Sequence, residues 1–397
     1  MQYSFYKFRQ MFFLVISFLV IFYSSLLIAQ EKYEAIDIRG FYDSAHHWRD
    51  INDEERVIDP LPDQPVYNKS EITKIADNIL LFQKNNGGWP KNYDITAILT
   101  EEQKNAVLKS KNETNTTFDN GATHSQIFYL TQVYKQTKEE KYKEAALKGI
   151  EFILLTQYEN GGWPQSYPDT SGYRKYITFN DNAMVGIMML LQNIVNSPQE
   201  YEFITDDLKK RITKVYEKGI ECILKCQIYD EGKLKAWCQQ HDNVDLKPQS
   251  ARKFEPAAVC TQESVGIIYV LMNVENPNSK IINSVNSAIT WLNESQIPGI
   301  RVETVTADHA DFDYHSTDYD RVVVEDSTAP PIWARYYELG TNRPLFCNRD
   351  GKPVYSLAEV HRERRTGYGW YGYEPSFILK FYPKWQEKWS TEFNALQ

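Results

Sequence analysis

Apolar residues recur at helical spacing through most of this chain. Ile72, Ile75, Ala76, Ile79 and Leu80 fall three and four apart behind Ser70, a residue suited to cap a helix. The pattern predicts further helices over residues 122–134 and along Tyr142, Ala145, Ala146, Ile150, Ile153 and Leu154. Residues 183–194 are apolar nearly all round, which predicts an inner, fully buried helix. The clearest one-sided stripe is Leu208, Ile212, Val215, Tyr216, Gly219, Ile220, Ile223 and Leu224. Two more helices are predicted, one starting near Thr261 and one over 281–294. Residues 300–325 read as irregular or strand-like, and strand alternation is sparse elsewhere. Residues 31–66, with prolines at 60, 62 and 65, read as an extended lead-in that wraps the domain.

A repeat orders these helices. NGGWP occurs at residues 86–90 and 160–164, which places Trp89 and Trp163 74 residues apart. Each copy follows a helical run ending in glutamine (Gln83, Gln157) and leads to an acidic, amide-rich cluster. Those clusters are TFDNGATHSQIFYL from Thr117 and TFNDNAMVGIMMLL from Thr178, in which Asp119 and Asp181 look alike in placement. A third copy is eroded to QIYDEGKLKAWCQQHD, yet its Trp237 lies another 74 residues beyond Trp163. Three helix–loop–helix units are therefore expected. The fold class predicted is mainly α: an (α/α) toroid of few helical hairpins, with long functional loops and a few short strands. Its glycines and tryptophans read as architecture that aims the segments following each turn. The expected division is a signal peptide over 1–29, the lead-in over 30–68 and the (α/α) toroid over 69–397.

The leader is read from Lys7 and Arg9, the apolar stretch from Met11 to Ile28, and the small Ala29, with Leu27 an imperfect fit. An uncleaved anchor is the alternative. No cysteine follows the cleavage point, which argues against a lipoprotein. The expected localisation is secreted or periplasmic, with no stable membrane contact once the leader is removed, and a monomer is expected. Five cysteines cannot all pair, and Cys222 and Cys226 sit among apolar residues of a predicted helix, so the fold is not read as disulfide-built. Adjacent His46 and His47 point apart on any regular element, which argues against a metal site there. A net charge of −9 argues against nucleic acid as the main partner, while leaving room for a local cationic cleft. The 27 tyrosines and 9 tryptophans suit either an aromatic-lined groove that receives sugars or a large aromatic core.

Candidate chemistry gathers at the starts of the predicted helices. Asp119, Asn120, Asp181 and Asn182 have the residue types of helix caps. Paired carboxylates with amide oxygens also form a hard-oxygen site suited to Ca²⁺. Two carboxylates alone would suit a glycosidase acid and base. Arg252, Arg321, Arg335, the arginines at 362, 364 and 365, and Lys91 behind the first NGGWP lie on segments expected at the same mouth. Together they suggest a carboxylate-bearing ligand, although each alone could be an ordinary surface charge.

The motifs NNGGWPKNYD, TFDNGATHSQIFYL, NGGWPQSYP, TFNDNAMVGIMMLL, ARKFEPA with CTQES, and IWARYYELGTNRPLFCNRDG resemble the pectate lyases of polysaccharide lyase family ten. The likeness runs from about residue 69 to residue 373. It implies an incomplete (α/α) toroid, an (α/α)3-like barrel, and calcium-assisted β-elimination on polygalacturonate. It implies calcium or substrate-bridging roles for Asp119, Asn120 and Asp181, and a catalytic base at Arg252. Lys91, Arg321 and Arg335 match positions that would hold uronate carboxylates. The rewritten loop around Trp237 departs from the pattern. Two readings stand beside this one. The first is a toroidal glycoside hydrolase acting on an acidic polysaccharide with Asp119 and Asp181 as acid and base. The second is a non-catalytic pectin-binding protein.

Overall fold

The computed structural model describes residues 33–51 and 55–390, so the leader expected over 1–29 lies outside the described residues. In chain order the helices are α1 (Tyr42–Asp50), α2 (Ile72–Phe82), α3 (Glu101–Lys109), α4 (His124–Thr137), α5 (Glu140–Thr156), α6 (Ala183–Asn196), α7 (Asp206–Cys226), α8 (Thr261–Met272), α9 (Ser279–Glu294), α10 (Arg362–Gly367) and α11 (Glu374–Trp389). They form two rows. Helices α2, α5, α7 and α9 pack each onto the next, and so do α4, α6, α8 and α11. The rows are joined by the packing of α2 and α5 on α4, α7 on α6, and α9 on α8 and α11.

The hydrophobic pattern accounts for most of this. The stripe Leu208, Ile212, Tyr216, Ile220 and Ile223 is the buried face of α7, and Thr205 caps that helix by accepting from the Leu208 N–H. In α6 nearly every apolar residue is buried, but Met189 is exposed, so the helix is enclosed on several sides and not fully buried as expected. Elsewhere the structure departs from expectation. Helix α2 starts at Ile72 with no side-chain cap, and the Ser70 hydroxyl instead donates to Asn68 Oδ1 at 2.9 Å. Helix α3 opens with a capping box between Thr100 and Gln103. The lead-in is not simply extended, because it contains α1. That helix is pinned by a fully buried Trp48, whose indole N–H donates to the Ile58 carbonyl at 2.8 Å.

The repeat survives in three dimensions where its sequence has eroded. Gln83, Gln157 and Gln227 each follow a helix of the first row. Each amide donates twice: once to its own loop (Gly87, Gly161 and Lys235 carbonyls) and once to the next helix of that row (Ala145, Val215 and Ser284 carbonyls). Trp89, Trp163 and Trp237 are fully buried, and each indole donates back to its preceding helix, at Ile79, Ile153 and Ile223. The third unit is thus a complete architectural copy.

Glycine is required at the turn itself. Gly161 has φ +95°, and a Cβ there would collide with the Lys218 carbonyl. Gly232 has a similar φ of +80°, but a Cβ there would meet only open space. Gly161→Ala is therefore expected to cost roughly 2 kcal/mol or more, and Gly232→Ala clearly less, because only the first adds a clash to backbone strain. Thermal denaturation of the two variants checks this order.

Residues 300–325 form a long antiparallel hairpin, Ile300–Asp311 with Ser316–Glu325, in which Thr304 faces Arg321. Arg365 pairs with Asp320 at 2.6 Å and Arg362 donates to the Tyr319 carbonyl at 3.1 Å. Arg364 pairs with Glu363 at 2.7 Å. Much of the 362–365 arginine cluster is thus engaged in tying down this hairpin and α10. Shorter strands steady the loops: Ile177–Thr178 pairs with Gln240–His241, and Val259–Cys260 pairs with Tyr336–Tyr337. All five cysteines are buried free thiols. Trp48, Trp89, Trp163, Trp237, Trp291, Trp333, Trp370 and Trp385 are all buried, so the tryptophans serve the core. No helix among the described residues is long and apolar enough to cross a membrane.

Candidate active site

Two tight turns deliver the acidic clusters to one place. Residues Asp119–Gly121 and Asn180–Asn182 pack against each other, just ahead of α4 and α6. The Thr117 N–H donates to the Trp89 carbonyl and the Thr178 N–H to the Trp163 carbonyl, which fixes the register of the repeat. Asn120 (φ 50°, ψ 35°) and Asp181 (φ 48°, ψ 33°) then occupy the same left-handed position. Asp119 is therefore equivalent to Asn180, and Asp181 to Asn120. The expectation that the two carboxylates are placed alike is corrected: they meet from positions one residue apart. Asn and Asp are the non-glycine residues that best tolerate this backbone, because their short side chains hydrogen-bond locally.

Asp119 is buried. Its Oδ2 pairs with Lys91 Nζ at 2.7 Å, while its Oδ1 has no hydrogen-bond partner. Burial opposes its charge, but the Lys91 ammonium outweighs burial and holds the carboxyl below the usual carboxylate range. Asn120 donates to Asn92 Oδ1 at 2.9 Å. Asp181 behaves oppositely. Burial first, and then the charge of Asp119, push it up to about 7, against the pull of Arg335. Lys91 also meets Glu55 at 2.8 Å, and Glu55 in turn pairs with Arg174.

The third unit and the C-terminal loops supply the cations opposite. Arg252 makes a forked pair with buried Glu255, its Nε 2.9 Å from Oε2, and lies over the Phe254 ring. Burial works against its charge, but Glu255 reverses this and raises its pKa. Arg335 is buried against Glu263 at 2.5 Å, reaches Asn180 Oδ1 at 3.3 Å and stacks 4.6 Å from the Tyr368 ring centre. Tyr368 joins the arginines. Its hydroxyl lies 2.6 Å from that of Tyr336 and 3.2 Å from Glu255 Oε1, and its carbonyl accepts from Arg321 at 3.3 Å. Gln239 extends the chain, donating to Asn180 and accepting from Tyr336.

Lys91, Asp119, Asn120, Asp181, Arg252 and Arg335 are thus brought into one electrostatic neighbourhood, and Arg321 reaches it through Tyr368. Tyr173 belongs to the same region, since burial and then Arg252, Lys91, Asp119 and Glu255 all act on its hydroxyl. Sequence reasoning passed over Glu55, Tyr173, Arg174, Gln239, Glu255, Glu263 and Tyr368. Glu255 carried a signal, three residues after Arg252 in the same motif. Glu55 carried none. Among the described residues no three of His, Cys, Asp and Glu gather as a ready metal cluster. The donor set at Asp119 and Asp181 fits a hard cation only as part of a shell. One carboxylate oxygen is buried without a partner and a second carboxylate is crowded by charge, whereas Ca²⁺ takes six to eight oxygens.

A helical scaffold that sets paired carboxylates against arginines is here that of a polysaccharide lyase. The chain belongs to the pectic acid lyase family, whose model matches residues 83–379. It is similar to a solved Family 10 polysaccharide lyase from Cellvibrio cellulosa, with 30% identity and a TM-score of 0.66 over 80% of this chain and 95% of that one. A mutant of that lyase in complex with trigalacturonic acid gives 30% identity and a TM-score of 0.66 over 80% of this chain and 96% of that one. None of the curated proteins matches.

Proposed function

We propose that this lyase is a pectate lyase that cleaves α-1,4-linked polygalacturonate by calcium-assisted β-elimination, releasing 4,5-unsaturated oligogalacturonides. The carrying observation is the pairing of the Asp119–Asp181 corner with Lys91, Arg252 and Arg335 around it. Anionic sugars need cations to enter a protein of net charge −9, and the cleft concentrates them. A solved relative in complex with trigalacturonic acid supports the same substrate class.

Asp119, Asp181 and the Asn120 amide would hold the calcium ion, with the remaining oxygens coming from substrate and water. When bound, the ion would neutralise a substrate carboxylate and so acidify the C5 proton α to it. Lys91, Arg335 and Arg321 would orient the uronate carboxylates along the cleft. Arg252 is the proposed base: in its neutral form it takes the C5 proton, the C5–H electron pair forms the C4=C5 bond, and the C4–O4 bond breaks with its electrons going to O4, which solvent protonates as the new reducing-end hydroxyl. Glu255 opposes that neutral form by pairing with Arg252, so the pair has to open before proton transfer. The Tyr368 hydroxyl already lies beside Glu255 and offers that carboxylate a second partner.

The split between Asp119 and Asp181 would also suit a glycosidase acid and base. Membership of the pectic acid lyases decides against hydrolysis. The two helix rows are proposed to curve as an incomplete (α/α) toroid. An open pocket of about 620 Å³, lined from α4, α6, α8 and α11 and by Asp37, Gly40 and Phe41, supports this reading. A polymer substrate stays outside the cell, which supports export of the enzyme, here proposed to act as a monomer. The test is incubation with polygalacturonate while following the ultraviolet absorbance of the unsaturated uronate, with and without chelator. A chelator-sensitive rise is expected. New reducing ends without that absorbance would overturn the reading.

A further inference from the structure

One carboxylate in the cleft has no part in this chemistry. Glu55 belongs to the lead-in, far in sequence from the repeats, yet its Oε2 lies 2.8 Å from Lys91 Nζ and its Oε1 pairs with Arg174 Nη2. It spans an ammonium and a guanidinium with its two oxygens, as a bound uronate carboxylate would. Lys91 does not need Glu55 for neutralisation, because Asp119 already pairs with it at 2.7 Å. Arg174 has a much weaker alternative in Asp169, at 3.9 Å. The Glu55 and Arg174 side chains are 42% and 32% exposed, so solvent and ligand reach the contact. Tyr173, next to Arg174, feels Arg252, Lys91, Asp119 and Glu255, which places this loop on the rim of the same cleft.

We propose that Lys91 and Arg174 form a carboxylate-binding subsite, and that Glu55 fills it in the free protein as a built-in competitor of the acidic substrate. This rests on the pectate lyase reading for the identity of the ligand, an oligogalacturonide. Exchange of Glu55 for a substrate carboxylate replaces one carboxylate by another, so the cations are never left without a counter-charge. That lowers the cost of opening a half-buried ion pair, where stranding one partner is the main penalty. The competitor reduces apparent affinity by the fraction of molecules in which the subsite is open. It also favours ligands that present a carboxylate over neutral sugars, which cannot replace the charge that leaves.

The test is steady-state kinetics on polygalacturonate with Glu55→Gln, Arg174→Gln and the double variant. It is joined by calorimetric titration of trigalacturonic acid under chelator. Glu55→Gln keeps the size of the side chain but removes the competing charge and one of its two acceptor oxygens. It is expected to lower KM, and to tighten trigalacturonate binding, by about 3- to 10-fold with kcat unchanged. Arg174→Gln is expected to raise KM by a similar factor. The double variant should show a much smaller gain from Glu55→Gln than the single one does, because that gain depends on a free Arg174. An unchanged or raised KM in Glu55→Gln, measured well below its melting temperature, overturns the proposal and makes Glu55 a structural tie. Absence of unsaturated product from the wild-type protein would instead overturn the lyase substrate assignment. Trigalacturonate titration of wild type and Glu55→Gln would then still decide the subsite.

Discussion

Arg252→Lys is expected to lose at least about a hundredfold in kcat on polygalacturonate, while still binding trigalacturonate and melting near the wild-type temperature. A positioned base contributes about 10²- to 10⁴-fold, which sets the scale. Lysine keeps the positive charge but not the planar fork that meets both Glu255 oxygens, so it separates geometry from charge. Arg252→Ala should be at least as inactive, but it strands Glu255, only 2% exposed, beside Tyr368 and so costs stability as well. The lysine variant therefore reports the loss of the fork without that loss of stability, and the alanine variant reports the loss of the proton acceptor. Because Glu255 raises the proton affinity of Arg252, the wild-type rate should climb toward alkaline pH. Activity within about tenfold of wild type in Arg252→Ala would exclude Arg252 as the base, because lysine, unlike alanine, can itself accept a proton.

Much of the architecture was legible because it is written in periodic burial. The stripe from Leu208 to Leu224 could be nothing but a one-sided helix, and α7 buries that face. Trp237 kept the period of the repeat although its loop was rewritten, since the indole and the Gln227 amide bond to backbone carbonyls, which a residue of any type supplies. Helix α1 was missed because its sequence, YDSAHHWRD, is mostly polar and is held by one buried tryptophan. Helix α11 was missed because it carries Pro383 within a tyrosine- and lysine-rich run.

The site was half legible, for a different reason. Lys91, Asp119 and Asp181 sit inside or beside the repeat, so chain order alone brings them near one mouth. The partners that set their charge states come from elsewhere: Glu55 from the lead-in, Tyr368 from the loop after α10, and Glu263 from inside α8. No local pattern marks such long-range pairs. The register of the repeat was also misread. Matching Asp-Asn with Asp-Asn pairs like chemistry, whereas the backbone pairs Thr-Phe with Thr-Phe and makes Asn120, not Asp119, the equivalent of Asp181.

That register gives the two aspartates opposite effects on the fold, which is the second large expected result. Asp119→Asn and Asp181→Asn should both abolish calcium-dependent activity, yet shift the chelator-treated melting temperature in opposite directions at mildly alkaline pH. Asp119 is held below its ordinary value of 3.8 by Lys91, against the effect of burial. Its stabilising charge is therefore present above that value and is lost as pH falls through the depressed one. Removing it leaves Lys91 with Glu55 alone and should cost about 1–3 kcal/mol at neutral pH, with the difference fading in acid. Asp181 is raised from 3.8 to about 7 by burial and by Asp119. A raised carboxyl favours the fold while protonated, and that advantage is lost as pH climbs through about 7. Asp181→Asn should accordingly match wild type near pH 4 and become the more stable protein above pH 7, by roughly 1–3 kcal/mol. Melting curves across that range decide it. If both variants were destabilised equally at every pH, the two carboxylates would be acting as plain helix caps, and the paired site would lose its physical basis.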